Sequence, residues 1–267
     1  MGVEIEPAER LESIRLKFAW AARQAAELEA AIDGFIATSR AYADHMARYF
    51  DIPREQIHVV YPGLNLAGHG GPRTSANGPP YTIGYFARIC PEKGLHVLAE
   101  AFRLMQQAPG APLARLRVSG WLGENHRPYL DKIRDRLFAS GLGDRFERVE
   151  APDHAAKVRF LQNLDVFSVS ATYHEPKGLY VLEALANGVP VIQPRLGSFP
   201  ELIEATRGGL LVNPEDPQDL ADALRQLLDD QALRSELGRQ GKEAVHQRFH
   251  SQAMAEETAT IYRKYLR

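Results

Sequence analysis

One cysteine, Cys90, stands alone in 267 residues, which excludes an intrachain disulfide. A lone thiol suits a reducing compartment, so a cytoplasmic protein is expected. Charge of one sign is missing as well: 32 Lys and Arg stand against 34 Asp and Glu, a formal net charge of −2. Without a basic surplus no nucleic-acid partner is expected, although a local anion site is compatible with that balance. No apolar run approaches the roughly 20 residues that a membrane-spanning helix needs. The opening MGVEIEPAERLESIRLKFAW is charged and helical in pattern, unlike a secretory signal. The Walker phosphate loop, G-x-x-x-x-G-K-[ST], is absent, as are repeats and low-complexity tails. What is present is an ordinary globular composition, 45% hydrophobic and 25% charged, at a length suited to one or two domains.

Residues 8–31 predict an amphipathic helix, with Leu11, Ile14, Phe18, Ala21, Ala25 and Leu28 at helical spacing. DGFIATS (33–39) predicts a strand ending in a cap, at Ser39 or a neighbour, RAYADHMARYF a helix that stops before Pro53, and IHVVYPGL (57–64) another strand. Residues 65–80, rich in Gly, Pro and Ser, read as a linker. Beyond it, strands at 81–87, 114–120, 145–151, 165–171, 190–194 and 208–212 alternate with helical patterns, which implies parallel βαβ units. Several strands are apolar on successive residues, as when helices cover both sheet faces. Ser198-x-x-Glu201 fits a capping box, and Asp216-Pro217 a cap followed by a first-turn proline. The expected fold is α/β, with a doubly wound parallel six-stranded sheet over 81–246. Residues 1–64 hold too few elements to close a core of their own, and 247–267 predict a C-terminal helix.

In such a sheet, ligands bind beyond the carboxyl ends of the strands, near the switch point. Four strand-to-helix loops are therefore candidates. ARICPEKG (87–94) carries Arg88 and Lys93 beside a helix start, a pairing suited to phosphate oxygens; two solvated surface charges are the competing reading. SGWLGE (119–124) has Gly120 and Gly123, which permit close approach to a ligand or simply make a turn. VEAPDH (149–154), with Val149, Glu150 and Ala151, offers backbone groups to the edge of a base, or is only a loop ending in a cap at Asp153. The fourth, HEPKGLYVLEALANGVPVIQP (174–194), sets Glu175 in the loop and Glu183 about one and a half turns into the next helix. Carboxylates accept paired hydrogen bonds from vicinal hydroxyls. Between them the amides of Gly178, Leu179 and Tyr180 lie at a helix start, where an anion is favoured. Diol, anion, diol is the layout of a sugar nucleotide. A charge on Glu183 is also costly to bury unpaired in so apolar a helix.

EPKGLYVLEALANGVPV resembles the E-P-F-G-L-x-x-x-E-A-x-A-x-G-x-P-V signature of the retaining, family-four ("group 1") glycosyltransferases of the GT-B fold. FARICPEKG resembles their G-R-x-x-x-x-K-G diphosphate loop, and VVYPGLN and DGFIATSRAYADHM the end of their N-terminal domain. Two departures stand out: Lys177 replaces the usual Phe, and Ala87 stands where Gly often precedes the Arg.

The resemblance implies that Arg88 and Lys93 hold the donor diphosphate and stabilise its charge as it leaves. It implies that Glu183 binds the ribose, that Glu175 lies by the transferred sugar, and that Gly178 and Leu179 meet phosphate or sugar. Tyr180 and Gly120 border the donor, and Val149 to Ala151 border the base. The donor would be a UDP-, GDP- or ADP-sugar, with no metal or other cofactor. It also implies that 1–64 is a remnant of the N-terminal domain, so that the chain by itself is catalytically incomplete. The missing half, in the same or another chain, would be a partner and the only route to a membrane surface. The uncovered interdomain face would favour homo-oligomers. The alternative reading is a non-catalytic module for nucleotide-sugar binding or assembly.

Overall fold

The computed structural model describes residues 32–72 and 78–266; the helix expected over 8–31 lies outside them. The chain enters a two-stranded parallel sheet, β1 (Phe35–Ala37) and β2 (Ile57–Val59), bridged by helix α1 (Arg40–Phe50). Ser39 caps α1 as its sequence predicts, accepting from the Tyr42 N–H. The apolar cluster of this piece has only Ala37, Ala43 and Ile57 fully buried.

Residues 78–248 form a lobe with a core of its own. Its strands are β3 (Tyr81–Phe86), β4 (Ala114–Ser119), β5 (Phe146–Arg148), β6 (Val166–Ser168), β7 (Val191–Pro194) and β8 (Gly209–Val212). They are joined in turn by α2 (Leu95–Gln107), α3 (Arg127–Ala139), α4 (His154–Gln162), α5 (Leu179–Ala186) and α6 (Phe199–Thr206). The six strands are all parallel, in the order β5-β4-β3-β6-β7-β8. This is the expected doubly wound sheet. The chain winds outward from β3 to β5, returns to β6 beside β3, and winds outward again. With right-handed crossovers the two windings lay their helices on opposite faces. Both faces are thus covered, and β3, β6 and β7 are apolar on successive residues and buried. The side chains of Ile83, Phe102, Phe167 and Phe199 are fully enclosed.

After β8, α7 (Pro217–Asp229) packs on α2, started by Asp216 accepting from the Gln218 and Asp219 N–H groups. Helix α8 (Gln231–Arg248), which the sequence pattern does not single out, packs on α5 and α6. Helix α9 (Ser251–Tyr265) returns to the N-terminal piece: the Leu64 N–H donates to Phe249 at 2.8 Å, the Ser251 N–H to Leu64 at 2.9 Å, and His58 meets Tyr265 at 2.7 Å. Among the described residues no helix is long and apolar enough to cross a membrane.

The capping box expected at Ser198 and Glu201 does not form. Ser198 adopts helical backbone, makes no capping bond, and its hydroxyl is buried without a partner among the described residues. Glu201 points away from its own helix. It accepts from the first two amides of α1, Arg40 N–H at 2.9 Å and Ala41 N–H at 3.0 Å, and from the Tyr61 hydroxyl at 2.6 Å. A helix start favours an anion, and the one supplied here comes from the other side of the seam.

Candidate functional site

The switch point lies between β3 and β6, and the loops leaving these strands build the site. The first loop, 87–94, is fixed by its backbone. The Ile89 N–H donates to Trp121 at 2.8 Å, and the Tyr85 hydroxyl donates to the Arg88 carbonyl at 2.8 Å. Gly94, at φ +67°, lets this loop lie directly on the exit of β6, because a Cβ there would fall 1.7 Å from the Ser170 carbonyl oxygen. The Thr172 N–H then donates to the Glu92 carbonyl at 3.0 Å. The two loops are thereby docked, and Lys93 is turned into the second.

Lys93 is 7% exposed and Glu175 6%. The ammonium donates to Glu175 Oε2 and, at 2.5 Å, to the Tyr173 hydroxyl. The same carboxylate oxygen accepts from the Tyr173 hydroxyl at 2.7 Å and the Tyr180 hydroxyl at 3.0 Å. Its other oxygen accepts from the Lys177 N–H at 3.3 Å. Burial works to raise the Glu175 pKa, but the hydrogen bonds from Lys93 and Tyr173 outweigh it and hold the carboxyl below its usual range. Burial, together with the Glu175 charge, pushes both tyrosine hydroxyls up, so they stay protonated and donating.

An ammonium has three N–H donors. Two of those on Lys93 are used, and the third has no acceptor among the described residues. Arg88 stands exposed on the same loop, and its guanidinium makes no hydrogen bond or ion pair among the described residues. The site therefore holds a buried cation with spare donor capacity beside a free guanidinium, which is the chemistry of an anion site.

The two carboxylates of the 174–194 stretch have different surroundings. Glu175 is enclosed and neutralised; Glu183, on α5, accepts from Lys157 of α4 at 2.5 Å. The negative charge at the start of α5 is that of Glu175 itself, whose carboxylate oxygen lies 3.5 Å from the Gly178 amide nitrogen. Gly178 takes φ +60° as the cap residue of α5, Leu179 is exposed, and Tyr180 contributes its hydroxyl. Lys177 points to solvent.

Gly120 has a structural reason to be glycine: a Cβ there would fall 1.9 Å from the Ala87 carbonyl oxygen. Val149 continues the sheet through its N–H to Val118 at 2.8 Å, Ala151 is partly exposed, and the Glu150 side chain is 81% exposed, 4.0 Å from Arg148. Sequence reasoning missed Lys157, whose only signal is a cation at helical spacing on a neighbouring element, and the hydroxyls of Tyr173 and Tyr180. It also missed Thr38, whose hydroxyl donates to the Pro176 carbonyl at 3.0 Å and ties the N-terminal piece to the Glu175 loop.

Comparison with known proteins identifies the family. The chain is 30% identical to a D-inositol 3-phosphate glycosyltransferase of Jonesia denitrificans over 223 residues, 79% of this chain and 52% of that protein. Among solved structures, sucrose-phosphate synthase from Thermosynechococcus elongatus superposes with a TM-score of 0.75 at 26% identity, covering 86% of this chain and 57% of its own. Anabaena HepE in complex with UDP and glucose superposes at 0.78 and 22% identity, covering 91% and 66%, which shows the shared fold. The chain spans about half the length of the curated relatives it matches. Residues 72–244 match the family described as "Glycosyl transferases group 1". That match favours the transferase reading over a non-catalytic module, and on it the chain belongs to the group 1 glycosyltransferases.

Proposed function

We propose that the 81–246 lobe binds the nucleoside diphosphate sugar of a retaining sugar transfer, and that acceptor binding falls to a part of the enzyme outside the described residues. The observation that carries this reading is Lys93: buried at the switch point, neutralised by Glu175, and left with one unused donor. A donor diphosphate would take that N–H and the exposed Arg88 fork. Both cations would then stabilise the charge that builds on the leaving diphosphate, in surroundings where such stabilisation is strong. No metal is needed for that step in this proposal. Glu183 takes the ribose diol, exchanging its bond to Lys157 for the sugar hydroxyls. Val149 to Ala151 border the base through backbone, and Glu175 lies by the transferred sugar. The donor is a UDP-, GDP- or ADP-sugar; the UDP-glucose bound by HepE belongs to that class.

Calorimetric titration of the chain with UDP, GDP, ADP and their sugars tests the reading. One nucleoside diphosphate is expected to bind, more tightly than its nucleoside. Lys93→Ala and Arg88→Ala should each weaken it by tenfold or more, since each removes a charge-assisted hydrogen bond. No heat with any of these ligands would sink the proposal.

A further inference from the structure

We propose that Tyr173 and Tyr180 are positioning residues of the donor cleft: their hydroxyls fix the Glu175 carboxylate and their rings flank the Lys93 ammonium, so that its third N–H faces the diphosphate. The inference rests on the donor-site reading above and adds two side chains to it. The Lys93 nitrogen lies 5.0 Å from the Tyr180 ring centroid, within reach of a cation–π attraction, and 4.9 Å from that of Tyr173, at the hydroxyl end of that ring. Tyr173 is also a relay: its oxygen accepts from Lys93 at 2.5 Å while its hydroxyl donates to Glu175 at 2.7 Å. Glu175 Oε2 therefore receives Lys93, Tyr173 and Tyr180 together.

Such crowding has a consequence. A flexible lysine stem left alone would let the ammonium swing onto the carboxylate with any of its donors. With two tyrosines fixing the carboxylate and boxing the cation, one orientation remains. The cost of ordering the ammonium is then met before the donor arrives, which is the effect of preorganisation on affinity. A pure packing role is the alternative. Tyr180 also lies 6.2 Å from the Phe199 ring and 6.3 Å from the Phe167 ring, and phenylalanine would keep those contacts.

The test uses the full chain with Tyr173→Phe, Tyr180→Phe and the double variant. Its probes are whichever of UDP, GDP or ADP binds the unaltered chain best, and the matching monophosphate. Each single variant is expected to weaken the diphosphate about five- to tenfold, and the double variant more, while the monophosphate stays within twofold and the melting temperature within a few degrees. Carbon-13 NMR titration of the ligand-free chain should show the Glu175 carboxyl titrating at higher pH in each variant. Unchanged diphosphate binding, or equal loss for both nucleotides, would overturn the positioning role while leaving the donor site standing. If the unaltered chain binds no nucleoside diphosphate, the donor-site reading falls and this inference falls with it.

Discussion

The six-stranded lobe and the 32–64 piece are held by different kinds of force. The lobe encloses a contiguous apolar cluster, with Ile83, Phe102, Leu224 and many others fully buried. The 32–64 piece encloses Ala37, Ala43 and Ile57 and leaves Ile36, Tyr49 and Phe50 exposed. Beyond Leu64, which is buried in the lobe's own cluster with Tyr61 packed against it, it is fastened by directional polar contacts: Glu201 on the α1 amides and Tyr61, Thr38 on Pro176, and the Leu64 pairing to Phe249 and Ser251. Burial of apolar area is additive and tolerant of geometry, whereas a hydrogen bond to a helix start is lost entirely if its carboxylate is removed. The lobe is therefore expected to open globally and the piece locally.

The largest expected effect breaks the lobe. Phe102→Ala should lower unfolding stability by about 3–5 kcal/mol, measured by urea denaturation, because a cavity replaces an enclosed ring. Ile57→Ala, in the small cluster, should mainly speed amide exchange in β1, α1 and β2 while the amides of β3 and β4 keep their protection; equal loss in both regions would show a single cooperative unit.

Next comes the seam. Glu201→Ala should reduce protection of the first turn of α1 by about 1–2 kcal/mol, since it removes the acceptor of two helix amides and of a partly buried tyrosine hydroxyl. Nucleotide affinity should not move, because Glu201 lies outside the donor site; a matching fall in affinity would mean that the piece and the cleft are coupled, through Thr38 and Pro176.

Acid should act where the 65–72 segment lies on the lobe, His69 meeting Asn187 at 2.8 Å. Burial, with His154 as the next cause, lowers the His69 pKa to about 4. The unfolded chain then binds the proton more readily between about pH 6.5 and 4, so stability falls as pH drops through that window. After discounting for partial exposure, the loss from pH 7 to 5 is about 1 kcal/mol, and His69→Gln should remove it from urea midpoints taken across that range. Glu175 adds to this at lower pH: its depressed folded pKa gives stability that is present above the ordinary carboxylate value and lost as pH falls through the folded one.

The smallest expected stability effect belongs to Glu183→Gln. Its pair with Lys157 is partly exposed and is worth at most about 1 kcal/mol. Nucleotide binding should weaken by more than that. A large fall in melting temperature with unchanged affinity would make Glu183 a structural residue and leave the lobe with Glu175 alone.

Much of the lobe was legible because its signals are local. Apolar runs such as VFSVS and PVIQP mark buried strands, Asp153, Asp216 and Ser39 mark helix starts, and the eight-residue interval from Glu175 to Glu183 fixes one to a loop and the other to α5. Helix α8 was harder to read because it carries glycines at 238 and 241 that sequence preference counts against a helix. They are there for close approach: a Cβ at 238 would lie 2.3 Å from the Gly188 carbonyl oxygen. Glu201 was misread because a glutamate three residues after a serine has the spacing of a capping box, while its partners stand 140 to 161 residues away in sequence.

The sequence by itself determined the alternation of strands and helices, the parallel sheet they imply, and which charged residues are candidates for an anion site, since each depends on neighbours a few positions apart. The tertiary structure decided the partnerships. It docked the β3 and β6 loops through Gly94, gave Lys93 to Glu175 and the two tyrosines, tied Glu183 to Lys157, and sent Glu201 across the seam. A buried charge takes the partner that the fold brings within hydrogen-bond reach, and that reach is set by where the loops leave the sheet rather than by distance along the chain.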